Sequence, residues 1–375
     1  MTNETQTNKA KREIFSRRTR DKFRGNLIKY TKSLALGRTF PTWAYLFVTR
    51  DCNLNCTYCH VNRKACEKIG MPGASTEMSS DELKEAIDKL HSLGTRYISF
   101  FGGEPTLRRK ELIEAIEHAS KKRNMFTQLP TNGTTLLQPG YIEQLGEAQL
   151  DMVDVSLDSL ARFDKSRKDM TRSGPLFDAL FSGREKYGFA VKTNQVLTQK
   201  NKDQLEGMLD FADKNRILLS VRLAMPSPIP LPLPEQEGIY FTPKNEQDIR
   251  AVDRIVDTIL ERKGKGGVTS ETPDFYKTMK RWIRGEKNLW KCDAGSFHLT
   301  INNDGRVMPC ELLSSSYGIH FRELTKDYAK RFEQQTKDIL AKCQDNCLAA
   351  AYFCGSDYLR HPWKLFTQGF LRLTG

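Results

Sequence analysis

Three cysteines in the run Cys52-Asn-Leu-Asn-Cys56-Thr-Tyr-Cys59 are separated by three and two residues, so one short loop can present all three thiols. Three thiolates can hold three irons of a 4Fe-4S cubane and leave the fourth iron with an open position, which four-cysteine electron-transfer clusters lack. A structural zinc site, with His60 as fourth ligand, is the other chemistry this spacing allows. A second group, Cys292, Cys310, Cys343, Cys347 and Cys354, surrounds Asn303-Asp304-Gly305, a hairpin turn signal. A cysteine on each arm of that hairpin and a Cys-x-x-x-Cys pair on a helical turn could assemble another cluster, and a zinc ribbon is built in the same way. Cys66 belongs to neither group and reads as a lone thiol.

The elements that must carry these residues follow a regular alternation. Thr42–Thr49, rich in β-branched and aromatic residues, reads as a strand running into Cys52. Ser79-Ser80-Asp81-Glu82 is a capping box, and Leu83, Ala86, Ile87, Leu90 and Leu93 mark one helical face before Gly94. Strands are then expected over 97–101, 125–130, 151–157, 189–197 and 217–224, with helices over 109–122, 139–147, 175–186 and 202–214 between them. Six strands separated by helices predict a parallel α/β sheet of right-handed βαβ units. Six units are too few for an eight-fold barrel, so the expected fold is a partial (β/α)6 TIM-like barrel with a small C-terminal cysteine-rich hairpin-and-helix subdomain.

Polar residues at the carboxyl ends of these strands are the natural ligand contacts, since open α/β sheets bind there. Gly102-Gly103-Glu104-Pro105 ends the second strand, Thr131-Asn132-Gly133 follows the third, and Ser156-Leu157-Asp158 ends the fourth. Paired glycines would let a ligand approach the backbone.

The cysteine run and these strand ends, taken in order over roughly residues 42–225, resemble the radical S-adenosylmethionine (SAM) superfamily. The resemblance implies a 4Fe-4S cluster on Cys52, Cys56 and Cys59 with SAM on its open iron. It implies that Tyr58 packs beside the adenine, that Gly102, Gly103, Glu104 and Pro105 meet the methionine amine, and that Asn132, Ser156 and Asp158 touch SAM. A flavodoxin or ferredoxin type electron donor follows from it. The family's glycine motif near the fifth strand is not evident at Val196-Leu197-Thr198. The second cysteine group is similar to the auxiliary-cluster regions called SPASM and twitch. Five cysteines suit one auxiliary 4Fe-4S cluster, with Cys292, Cys310, Cys343 and Cys347 favoured over Cys354. No side-chain acid or base is assigned, because the cofactor carries the hard chemistry.

The chain of 375 residues has net charge +13, with eleven Lys/Arg against three acids in its first forty residues. Apolar residues Ile14, Phe15, Phe23, Leu27, Ile28 and Leu34 recur there at helical spacing, predicting a basic amphipathic helix over 13–35. The tail repeats the pattern, with Arg360, Lys364 and Arg372 among Trp363, Leu365, Phe366, Phe370 and Leu371. The division expected is 1–40 basic segment, 41–225 core barrel, 226–290 proline-rich linker and helices, 291–358 cysteine-rich region and 359–375 basic aromatic tail. No signal-peptide pattern or membrane-spanning apolar stretch is present, and clustered cysteines suit a reducing cytoplasm. The basic ends suggest docking on the inner face of an anionic membrane, or docking on the barrel itself. The expected activity is radical functionalisation or oxidation of a C–H bond in a hydrophobic, anionic small molecule such as an isoprenoid lipid or tetrapyrrole. A peptide-modifying enzyme and a non-enzymatic iron–sulfur or zinc protein are the alternatives. No base-stacking aromatic pattern supports nucleic acid as partner.

Overall fold

The computed structural model describes residues 14–35, 40–59, 61–68, 76–162, 168–224, 238–311, 316–341, 347–361 and 363–364. In chain order, α1 (Arg17–Ala35) and β1 (Trp43–Thr49) are followed by α2 (Arg63–Lys68), α3 (Ser80–Leu93), β2 (Tyr97–Gly102), α4 (Arg109–Glu117), β3 (Phe126–Thr131), α5 (Tyr141–Glu147) and β4 (Met152–Ser156). Then come α6 (Met170–Tyr187), β5 (Ala190–Leu197), α7 (Leu205–Asn215), β6 (Leu218–Leu223), α8 (Glu246–Gly264), α9 (Pro273–Ile283), β7 (His298–Ile301), β8 (Val307–Met308), α10 (Glu333–Ala341) and α11 (Ala350–Arg360). The α3 capping box forms as expected: Glu82 N donates to Ser79 Oγ, and Ser79 N donates to the Glu82 carboxylate.

The sheet order is β6-β5-β4-β3-β2-β1-β7-β8, and β1 to β6 are all parallel to their neighbours. The sheet curves as a partial barrel and does not close. One difference from the sequence expectation concerns the hairpin. Rather than standing apart, β7 pairs parallel with β1, Trp43 opposite His298, and extends the barrel wall. At the other edge, Leu219 N donates to Val268 O and Ser270 N donates to Leu219 O, both at 2.9 Å, so the segment expected to be a linker covers β6. The proline run 226–234 lies outside the described residues.

Alternation along the strands sorts their side chains with period two. Ala44, Leu46, Val48, Ile98, Phe100, Leu129, Val153, Val155, Val191, Leu219 and Val221 face the helices and form the main core. The intervening residues line the interior in tiers: Trp43, Tyr97, Phe126 and Met152 lowest, then Tyr45, Ser99, Gln128, Asp154 and Lys192, then Phe101, Ser156, Asn194 and Arg222. An apolar floor thus supports a charged middle.

α1 seals that floor. Phe23 and Leu27 are only 6% and 4% exposed and pack with Tyr97, Phe126, Met152, Ala190 and Leu218; the Phe23 ring meets Tyr97 and Phe126 edge-on at 5.3 and 5.6 Å. Lys22 Nζ donates to Asp151 Oδ2 and to Ser120 Oγ, both at 2.7 Å, and Arg18 donates to Gln149 O and Leu150 O. The face expected to enter a membrane is therefore consumed inside the molecule, which corrects the lipid-binding expectation for Phe23 and Leu27. The Leu34 side chain lies outside the described residues. At the other end, Lys364 bonds Asp274 and Asp357 and Arg360 pairs with Asp293, so these cations also dock on the protein; residues 365–375 lie outside the described set. Among the described residues no helix is long and apolar enough to cross a membrane.

Candidate active site

A cavity of about 600 Å³ fills the barrel from the α1 floor to the carboxyl ends of the strands. Cys52, Cys56 and Cys59 all line it, on the loop that leaves β1. Each is partly buried, and burial pushes the Cys56 thiol up to about 11. Among the described residues no three His, Cys, Asp or Glu side chains converge tightly enough to share one metal ion. His60 and Cys343 lie outside the described residues.

The loop is held by its neighbours. Gly103 N donates to Thr49 O at 2.9 Å and Glu104 N donates to Asp51 O at 2.7 Å. A Cβ on Gly103 would collide with the carbonyl oxygens of Arg50 and Asp51. The glycine pair thus admits the chain's own cluster loop, a closer approach than the ligand expected from sequence. Glu104, 1% exposed, accepts bonds from Thr106 N and Oγ1, Thr131 Oγ1 and Asn132 N. It ties the ends of β2 and β3 together, and burial raises its pKa against those bonds. Pro105 is buried and opens the turn after Glu104, away from the cavity wall.

Asn132 lines the cavity and donates to Asn53 Oδ1 at 2.9 Å. Ser156 also lines it. Asp158, expected to touch SAM, is instead fully buried behind the wall, where it accepts from Val196 N at 3.0 Å and from the Tyr58 hydroxyl. Its carboxylate positions Tyr58, which does line the cavity. Lys168 also lines it and donates to Tyr58 Oη at 3.2 Å. Burial opposes its charge, yet Cys56, Tyr58, Asp158 and Cys59 together raise its pKa well above the ordinary lysine value. Lys168 had no sequence signal, since it sits in an irregular loop before α6.

The charged middle tier had one. Asp154 and Lys192 in that tier, and Arg222 in the tier above, are charged residues within the strands β4, β5 and β6. Lys192 Nζ and Gln128 Nε2 both donate to Asp154 Oδ2 at 2.8 Å. Asp154 Oδ1, Asn194 Oδ1, Ser99 Oγ and Ser270 Oγ have no hydrogen-bond partner among the described residues. Arg222 Nε donates to Ser220 Oγ at 3.2 Å, and the residue lines the cavity. Opposite stand Glu311, which accepts from the Tyr352 hydroxyl and is pushed up to about 7 by burial, and His298, packed between Tyr45 and Tyr352.

Burial lowers His298 to about 3. Below pH about 6.5 the unfolded chain takes up a proton there that the folded protein refuses, so the stability present above that pH is lost as pH falls toward 3. Between pH 7 and 5, wild type should lose about 2 kcal/mol more unfolding free energy than His298→Phe. Denaturation at both pH values checks this; equal losses would mean that His298 takes its proton in the folded state.

Of the second cysteine group, Cys347 and Cys354 line the same cavity, Cys310 follows β8 and is buried, and Cys292 Sγ accepts from Ala294 N at 3.4 Å. Cys347 precedes α11 rather than standing on a helical turn, and Cys354 lies on α11. Burial pushes the Cys354 thiol up to about 12, against hydrogen bonds with Thr272.

Residues 46–212 match the Radical SAM superfamily. A probable GTP 3',8-cyclase of Methanococcus maripaludis is 32% identical over 280 residues, 71% of this chain and 84% of that protein. The chain belongs to the radical SAM superfamily. That superfamily binds a 4Fe-4S cluster together with SAM. A probable GTP 3',8-cyclase of Pyrococcus abyssi is 33% identical over 184 residues, 48% of this chain and 56% of that protein, so the chain spans little more than half the length of that relative. The PqqA peptide cyclase of Bradyrhizobium diazoefficiens is 24% identical over 338 residues, 89% of this chain and 81% of that one. Two solved structures share the radical SAM fold. Native anSMEcpe with AdoMet and a Cp18Cys peptide has TM-score 0.58 at 17% identity, covering 89% of this chain and 98% of that chain. Streptococcus suis SuiB bound to its precursor peptide SuiA has TM-score 0.57 at 16% identity, covering 80% and 67%.

Proposed function

We propose that this radical SAM enzyme removes a hydrogen atom from a residue of a peptide substrate held in the charged tier of the barrel, the hydrogen passing to the 5'-deoxyadenosyl group. The observation that carries the reading is the single cavity running from Cys52, Cys56 and Cys59 past Arg222 and Glu311 to Cys347. Bound there, the cluster would supply the electron for reductive cleavage of SAM. Cys52, Cys56 and Cys59 would hold the cluster, while Tyr58, Gly102, Glu104, Asn132 and Ser156 would line the SAM position. The Lys168 ammonium, kept charged by its neighbours, suits the SAM carboxylate. The sealed floor limits water entry from below, which protects a radical from side reactions.

Cys292, Cys310, Cys343 and Cys347 remain the favoured auxiliary ligands, and the engagement of Cys354 with Thr272 supports leaving it out. A flavodoxin or ferredoxin type protein would deliver the electron.

Two observations favour a peptide over the lipid expected from sequence. The apolar face of α1 is buried, and the cavity walls carry fixed charges and acceptors without partners, which a polar amide-bearing ligand satisfies and a hydrocarbon leaves stranded. The whole-length likeness to a peptide cyclase points the same way. A second reading, an anionic tetrapyrrole, is favoured by the aromatic floor of Phe23, Trp43, Tyr97 and Phe126 beneath Arg222.

The test is to offer anaerobically reconstituted enzyme, SAM and dithionite a perdeuterated peptide extract or perdeuterated coproporphyrin and to weigh the 5'-deoxyadenosine. Deuterium should arrive from the peptides. Transfer from the tetrapyrrole alone, or from neither, overturns the peptide reading.

A further inference from the structure

Arg50 stands two residues before Cys52 and is 0% exposed. Its Nε and Nη2 both donate to Asn302 Oδ1, at 3.0 and 2.6 Å, and its Nη1 donates to Val61 O at 3.0 Å and to Cys66 Sγ at 3.5 Å. The guanidinium lies 3.8 Å from the centre of the Phe47 ring. Among the described residues none of these partners is a carboxylate.

A guanidinium does not escape burial by losing its proton, and an uncompensated buried charge is costly by several kcal/mol. The residue placed to accept both of its donors is an amide where a carboxylate would have cancelled the charge. The orientation of that amide is fixed, because Asn302 Nδ2 donates to Asp304 Oδ1 at 3.0 Å. Asp304 itself faces Arg306. Burial lowers the Arg50 pKa, while Cys66, Asp304, Glu311 and Cys59 act against that without any carboxylate among the described residues touching the guanidinium, so a positive charge is kept inside the protein two residues before Cys52. A cubane held by three thiolates has a net negative charge that grows by one on reduction, so a nearby fixed cation favours the reduced form.

We infer that Arg50 is the buried counter-charge of the SAM-binding cluster, raising its reduction potential, and that Asn302 holds it in place. This rests on the cluster assignment to Cys52, Cys56 and Cys59. Asn302 belongs to the turn between β7 and β8, and the same turn is joined to the chain before α3, since Met78 N donates to Asn303 O at 2.8 Å. The hairpin that carries Cys310 therefore also sets the cation behind the first cluster. Arg50 is a positioning residue in this scheme: one electron enters the cluster, and no bond at Arg50 forms or breaks.

The test is an EPR-monitored titration of the reconstituted full chain with dithionite as reductant, following the signal that changes on adding SAM. Arg50→Gln and Asn302→Asp should both make reduction at least tenfold less favourable, a shift of about 59 mV to more negative potential. Arg50→Lys, which keeps the charge, should lie nearer wild type. Asn302→Asp is nearly isosteric and neutralises Arg50 without removing it, so it decides the matter if Arg50→Gln fails to load a cluster. A wild-type potential in loaded Asn302→Asp overturns the inference, whatever its thermal stability. Absence of any SAM-responsive signal in wild type would instead overturn the cluster assignment.

Discussion

Cys56→Ala protein, reconstituted anaerobically and given SAM and dithionite, should form no 5'-deoxyadenosine above the background of cluster-free protein. Cys310→Ala should still cleave SAM without substrate, yet release no modified product. The difference follows from the position of the two thiols. Cys56 lines the cavity on the loop after β1, together with Lys168, Tyr58 and Asn132, and loss of one of three thiolates would leave the proposed cubane without a corner ligand. Cys310 is buried at the end of β8, next to Glu311 and Tyr352 on the far side of the charged tier. Cofactor analysis by mass spectrometry and iron counting on both variants would decide. Equal loss of SAM cleavage, with the fold and first cluster intact, would contradict this division of labour.

The second large effect should be on stability. Lys22→Met leaves the fully buried Asp151 without its closest cation, a change that typically costs about 3–5 kcal/mol; Asp151 would keep only its bonds from Thr127 N and Oγ1 and a more distant Arg18. Phe23→Ala removes a ring packed against Tyr97 and Phe126 and should cost a similar amount, about 3–5 kcal/mol. Both variants should unfold at markedly lower temperature or denaturant concentration, and the folded wild type should sediment with anionic vesicles no better than a variant with Leu27 replaced by a polar residue. Unchanged stability in both variants would mean that α1 is not a structural floor, and would return the membrane to consideration.

The six parallel strands could be read from sequence because short apolar runs alternate with helical stretches and three of them, β2, β3 and β4, stop at Gly102, Asn132 and Ser156, and α3 because its capping box and apolar stripe agree. The run of Cys52, Cys56 and Cys59 stood out for a chemical reason: few other sites need three thiols so close together in sequence. What could not be read were contacts between distant parts of the chain. An amphipathic pattern such as Phe23 and Leu27 records that one face is buried, but not whether lipid or protein buries it. β7 is only four residues long, and its partner β1 lies some 250 positions earlier. Asp158 looked like a ligand contact because it ends a strand, whereas its side chain turns behind the wall to hold Tyr58. Asp154, Lys192 and Arg222 put charge inside their strands, but nothing in the sequence singled them out as one group. That grouping depended on knowing which face of the sheet was concave.

The position of α1 also has a consequence for biosynthesis. The helix is made before its partners, whose acceptors run from Arg96, 70 residues later, to Gly188, 169 residues later. At roughly 5–20 residues per second, the last of these follows the helix by on the order of ten to thirty seconds. During that interval its docking is incomplete. The barrel is therefore built first and closed from below afterwards, so conditions that slow translation through β5 should lower the yield of intact protein more than its final stability would suggest.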